Sequence, residues 1–140
     1  MNSLQSKALL LSLSFVFAFL ASCDAYSKTH VSVVNQIAGE TITVHCYSGD
    51  NDLGYHQLAT GQDLSWSFHY SIIGTTKFIC TITTQHGSGS YVAYTEGMMV
   101  DRCGFECVWK VQASGPCLQQ TREAPWCQAW QKRALDPAIK

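Results

Sequence analysis

No run of like charge interrupts this chain. Nine lysines and arginines and ten aspartates and glutamates are mixed along 140 residues, for a formal net charge of −1. Without a basic stripe there is no electrostatic footprint for nucleic acid. No Asn-x-Ser/Thr acceptor occurs, so N-glycosylation is not expected. Past the first apolar run, no stretch approaches the roughly 20 residues that a membrane-spanning helix needs. Gly-x-Ser-x-Gly, a Walker loop and His-Glu-x-x-His are also missing, and with them the common signatures of hydrolases, nucleotide-binding enzymes and zinc proteases. Neither a cofactor nor a metal is expected.

What is present begins with a leader. Lys7 precedes an apolar run from Ala8 to Ala21. A short cationic start, an apolar centre of this length and small residues at its exit describe a secretory signal peptide. Cleavage after Ala25 or after Cys23 satisfies the small-residue rule. The alternative is an uncleaved anchor, against which stand the shortness of the run and its interruption by Ser12 and Ser14. Either cut removes Cys23, the first of seven cysteines, and leaves Cys46, Cys80, Cys103, Cys107, Cys117 and Cys127. An even set behind a leader reads as a disulfide framework built in an oxidising compartment. The division expected is residues 1–25 as leader, 26–120 as one domain and 121–140 as a tail. A domain of that size buries roughly two thirds of its unfolded surface, so the bridges reinforce a core without replacing it.

Between Thr29 and Leu118 the hydrophobic pattern has period two. Val31, Val33 and Asn35 alternate; so do Ile42, Val44 and Cys46; so do Leu64, Trp66 and Phe68; so do Phe78, Cys80 and Ile82; so do Cys107, Trp109 and Val111. Alternation of this kind marks half-buried strands. Seven or eight short strands at spacings of about ten residues predict an antiparallel β-sandwich. Residues 85–90, rich in Gly and Ser, read as a flexible connector. The tail from Thr121 reads as one short amphipathic helix after Pro125, with Trp126 and Trp130 on one face.

Each candidate for chemistry has a plainer reading. His45 and Cys46 are adjacent on a strand and point to opposite faces, so Cys46 is read as half of a bridge and not as a nucleophile. The Cys103–Cys107 spacing suits a metal, but structural zinc needs a second close pair. Six cysteines allow fifteen pairings, and the spacing alone selects none. Asp50-Asn51-Asp52 resembles the start of a calcium loop but lacks the closing Glu, so it reads as a turn completed by Gly54. His45, His56 and His69 are the acid–base candidates of a rival reading, a small secreted hydrolase or nuclease. Exposure of Trp126 and Trp130 would instead favour a defence or glycan-reading module; packing against the sandwich is expected.

The string Val44-His45-Cys46, a polar turn, then Asp50-Asn51-Asp52-Leu53-Gly54 resembles the signature of the plant self-incompatibility protein homologues. Trp66-Ser67-Phe68, Gly74-Thr75-Thr76 before Phe78-Ile79-Cys80, the Cys103–Cys107 pair with Trp109, and Gly115-Pro116-Cys117 follow in the family's order. The resemblance spans residues 31–118, and Asn51 departs from it by replacing the middle acid. It implies a secreted β-sandwich of about eight strands with two disulfides among Cys46, Cys80, Cys103 and Cys107. It also implies a non-enzymatic extracellular ligand of a membrane receptor on another plant cell. The tail, with Cys127, lies beyond what it covers. A recognition surface is expected on loops, which vary without disturbing a core: Ser48, Asp50, Asn51 and Asp52; Gln85, His86 and Ser88; and residues 70–74.

Overall fold

The computed structural model describes residues 28–69 and 76–134. The expected leader and the third loop candidate, residues 70–74, lie outside them. Among the described residues, ten strands form two five-stranded sheets. They are β1 (Lys28–Asn35), β2 (Ile42–Tyr47), β3 (Asp52–Leu58), β4 (Asp63–His69), β5 (Lys77–Thr83), β6 (Gly87–Thr95), β7 (Glu106–Gln112), β8 (Gly115–Leu118), β9 (Trp126–Cys127) and β10 (Lys132–Arg133). One sheet runs β4-β1-β7-β8-β9 and the other β10-β6-β5-β2-β3. Between β6 and β7 lies a short helix, α1 (Glu96–Met98), capped by the Thr95 hydroxyl. It runs on into a π-helical turn, Met99–Cys103.

The alternation read from the sequence is the alternation of burial. Val31, Val33, Ile42, Val44, Ile82, Trp109 and Val111 all lie in one core between the sheets. Phe68 of β4 meets Phe78 of β5 across the sandwich, ring centroids 4.9 Å apart, and meets Tyr94 edge-on at 4.8 Å. Trp109 fills the adjoining space and donates its indole N–H to the Ala93 carbonyl at 2.9 Å, which satisfies a polar atom that burial would otherwise penalise. Asn35 is fully buried in the same alternation. Its amide donates to the carbonyls of Glu40 (2.7 Å) and Leu58 (2.9 Å) and accepts from the Ile37 N–H (2.8 Å). It therefore fixes the β1–β2 connection.

Three features depart from the expectation. The sandwich is antiparallel except between β1 and β7, which pair in parallel. Residues 87–90 are not a connector: they open β6 and pair with β5. Their glycines are small because neighbours press on them. A β-carbon on Gly87 would collide with Trp130, and one on Gly89 with the Tyr91 ring. The described part of the tail holds no helix. It is an extended strap that pairs first with β8 through β9, then with β6 through β10, so it joins the two sheets along one side. Trp130 lies between these pairings, buried, with its indole N–H donated to the Ala113 carbonyl at 2.8 Å. Trp126 is half-buried against Trp109 beneath the Arg102 guanidinium. Both rings pack as expected, but on a strap and not on a helix.

The disulfides are Cys46–Cys80, Cys103–Cys107 and Cys117–Cys127. The first and third join residues that face each other directly across antiparallel strands. The second ties the π-helical turn to the start of β7.

Candidate recognition surface

The β2–β3 hairpin presents three exposed sequence-derived candidates, Asp50, Asn51 and Asp52. Its turn is closed by its own atoms. The Ser48 N–H donates to the Asn51 carbonyl at 2.7 Å, and the Asn51 N–H donates to the Ser48 hydroxyl at 3.1 Å. Asp52 then accepts from the Gly54 N–H at 2.8 Å, where Gly54 holds a positive φ of 80°, a conformation glycine adopts without penalty. Asp50, Asn51 and Asp52 are exposed and Ser48 is half-buried. The calcium-like string is thus a self-bonded turn, as its residue types suggested.

Next to the turn, His45 reaches out of β2 and places Nε2 2.7 Å from the Asp52 carboxylate. The Gly54 N–H first, and then the His45 hydrogen bond, hold the Asp52 carboxyl below the usual carboxylate range. Tyr55, 76% exposed and directly across from His45 on β3, stacks on it, its ring 4.1 Å from that of His45. Sequence inspection missed Tyr55; the signal available was a large aromatic on the outward side of a strand at the sheet edge. His56 places Nε2 2.7 Å from the Leu53 carbonyl. Nε2 of His45 and Nε2 of His56 are therefore both engaged within the hairpin. His45 lies on the outer face while Cys46 points inward to Cys80, as the alternation required.

Beside the turn, at the ends of β4 and β5, a cleft of about 610 Å³ opens, with Tyr47, Asp50, Phe68, His69 and Lys77 among the described residues lining it. The second candidate loop is elsewhere. Tyr47 faces Ile79 and Thr43 faces Thr83 across the β2–β5 pair, so the turn after β2 and the turn after β5 leave the sheet at opposite ends. Gln85 and His86 are exposed at the far end, and Ser88 is half-buried on β6 opposite Lys132. The structure does not bring them near Ser48 or Asp52. At that end Glu40, almost wholly buried, accepts from the Gln85 N–H and faces His86 Nδ1 at 3.6 Å, which anchors the β5–β6 turn to the β1–β2 connection.

Comparison with known proteins follows this geometry. The family model for plant self-incompatibility protein S1 matches residues 30–130, which includes Cys127 and both tail tryptophans. S-protein homolog 29 of Arabidopsis thaliana is 33% identical over 107 residues, covering 74% of this chain and 78% of its own. Self-incompatibility protein S1 of Papaver rhoeas is 36% identical over 104 residues, covering 71% and 73%. A solved self-incompatibility protein homologue superposes with a TM-score of 0.58 at 14% identity, over 77% of this chain and 96% of its own. It is described as one of a widespread family of small, highly stable, secreted plant proteins. The chain belongs to the plant self-incompatibility protein S1 family.

Proposed function

We propose that this protein is a secreted, non-enzymatic signalling ligand, read by a receptor on the surface of another plant cell. The observation that carries the reading is the hairpin end of the molecule. There the exposed Asn51 and Asp52 are hydrogen-bonded within the turn, beside the exposed Asp50, the stack of exposed Tyr55 on half-buried His45 and an open cleft. A turn ordered before contact loses less entropy when a partner binds it. Three disulfides and a continuous core supply the rigid frame, and the apolar leader and oxidised cysteines agree with secretion.

The Papaver relative is named for self-incompatibility; that pollen–pistil role is one version of the reading, and cell–cell communication in another tissue is the other. The glycan-reading alternative loses its support, because Trp130 is buried and Trp126 is half-covered. The test is to exchange Ser48 to Asp52, as a block, for the turn of a relative and apply the secreted protein to receiving cells. Loss of the cellular response with an unchanged melting temperature is expected. An unchanged response after block exchange of this turn, of Gln85 to Ser88, and of residues 70–74 together would remove the loop-reading mechanism.

A further inference from the structure

The three bridges differ in where they sit. Cys46, Cys80, Cys103 and Cys107 are all buried and belong to the core between the sheets. Cys117 and Cys127 do not. On β7 and β8, Trp109 faces Leu118 and Val111 faces Pro116 on the core side, which places Cys117 on the outer side opposite Lys110. Cys117 is covered there, but Cys127 is exposed on its two-residue strand, next to exposed Pro125 and Ala129. Among the described residues this is the one bridge with a solvent-exposed half, and it fastens the strap to β8.

We propose that Cys117–Cys127 is a thiol-exchange site on the folded protein, opened by a small thiol of the glutathione class while the other two bridges stay closed. The incoming thiolate attacks Sγ of Cys127, the exposed residue of the pair, and a new S–S bond forms as the Cys117–Cys127 bond breaks. Cys117 leaves as a thiolate and takes up a proton. A second thiolate then attacks the thiol's own sulfur in the mixed disulfide, releasing Cys127 as a thiolate that is also protonated. Two thiols are oxidised to one disulfide and one protein disulfide is reduced to two thiols. Lys110 is directly opposite Cys117 in the β7–β8 register, and a cation on that face would favour the leaving thiolate. Exposed bridges are the ones that exchange readily. Opening releases the covalent fastening of β9, leaving the strap held by the Gln131–Ser90 hydrogen bonds, the Tyr91 hydroxyl and Trp130.

The experiment exposes the folded, fully oxidised protein to glutathione without denaturant. The reaction is quenched with an alkylating agent at intervals, and all six cysteines are mapped by peptide mass spectrometry. Cys117 and Cys127 should open at least about ten-fold faster than the other four, because exchange there needs no global unfolding. The first glutathione adduct should be on Cys127. Lys110→Gln should slow opening by about three-fold or more, and Lys110→Arg should restore it. Hydrogen exchange of the singly opened protein should rise in the strap and at Ser88 and Ser90, with β2 and β5 unchanged. Opening of all six cysteines together at the rate of unfolding, or a first adduct on any other cysteine, would overturn the proposal. An unchanged rate in Lys110→Gln would remove the lysine from it.

Discussion

Asp52, Asn35 and Tyr91 each show one side chain holding two pieces of chain together. Asp52 is exposed, yet its carboxylate accepts from Gly54 and His45. Its folded pKa is depressed, so the stabilisation it brings is present above the ordinary carboxylate range and is lost as pH falls through the folded value. A pH titration followed at the Gly54 amide by NMR should show a midpoint below about 3.9, and Asp52→Asn should abolish that transition. Asn35 behaves differently, because it does not titrate and is entirely buried. Asn35→Leu strands the Ile37 N–H and takes one donor each from the carbonyls of Leu58 and Glu40, the latter keeping the Thr60 hydroxyl at 3.5 Å. Each buried group so stranded costs about 1–3 kcal/mol, and urea unfolding should show a loss of that order or larger. Tyr91 is raised above its usual range, chiefly by burial, and its hydroxyl donates to Ala129 and accepts from Gln131. The stabilisation from its neutral phenol is present below the ordinary tyrosine value and is lost as pH rises through the folded one. Spectrophotometric titration should show a tyrosine component ionising above the ordinary range, and Tyr91→Phe should remove that component.

At the scale of elements, strands followed from alternation, and the strap did not. Val31, Val33, Val44 and Val111 bury on a two-residue period that is visible in the chain itself. The spacing of Trp126 and Trp130 suits one face of a helix equally well, and only pairing with β8 and β6 decides for extended chain. Gly87 and Gly89 mislead for a related reason. Glycine signals either conformational freedom or the absence of room, and here Trp130 and the Tyr91 ring take the room. The candidate hairpin was legible because Asp, Asn and Gly bond their own backbone locally. Tyr55 was not, because its exposure depends on β3 being the edge of its sheet. Gly115 gives the strap a sharp test. A β-carbon there would run into the Gln128 carbonyl, so Gly115→Ala should cost about 1–3 kcal/mol or more, measured by thermal unfolding. The bridges should rank by the chain they enclose. Cys46–Cys80 spans 34 residues and Cys103–Cys107 spans 4, which corresponds to about 4 against about 2 kcal/mol of lost unfolded-state entropy.

On the scale of the whole molecule, the two candidate loops leave opposite ends of one sheet and so present separate surfaces. Separate exchange of the two turns should therefore give separable defects. If both ends matter, each swap should impair a different contact, and combining them should give additive losses in binding free energy.

The parallel pair carries a consequence in time. His30 on β1 lies beside Glu106 on β7, so the strand nearest the start of the domain waits for one near its end. Meanwhile β2, β3, β5 and β6 meet their neighbours over shorter stretches of chain, and the Cys46–Cys80 bridge lies wholly within them. As the polypeptide emerges from its N-terminus into the secretory lumen, one sheet can pair and oxidise while β1 still lacks its central partner. Closing long loops is what slows β-rich proteins. Refolding with amide-exchange pulses should accordingly protect the β2–β5 pair before the β1–β7 pair.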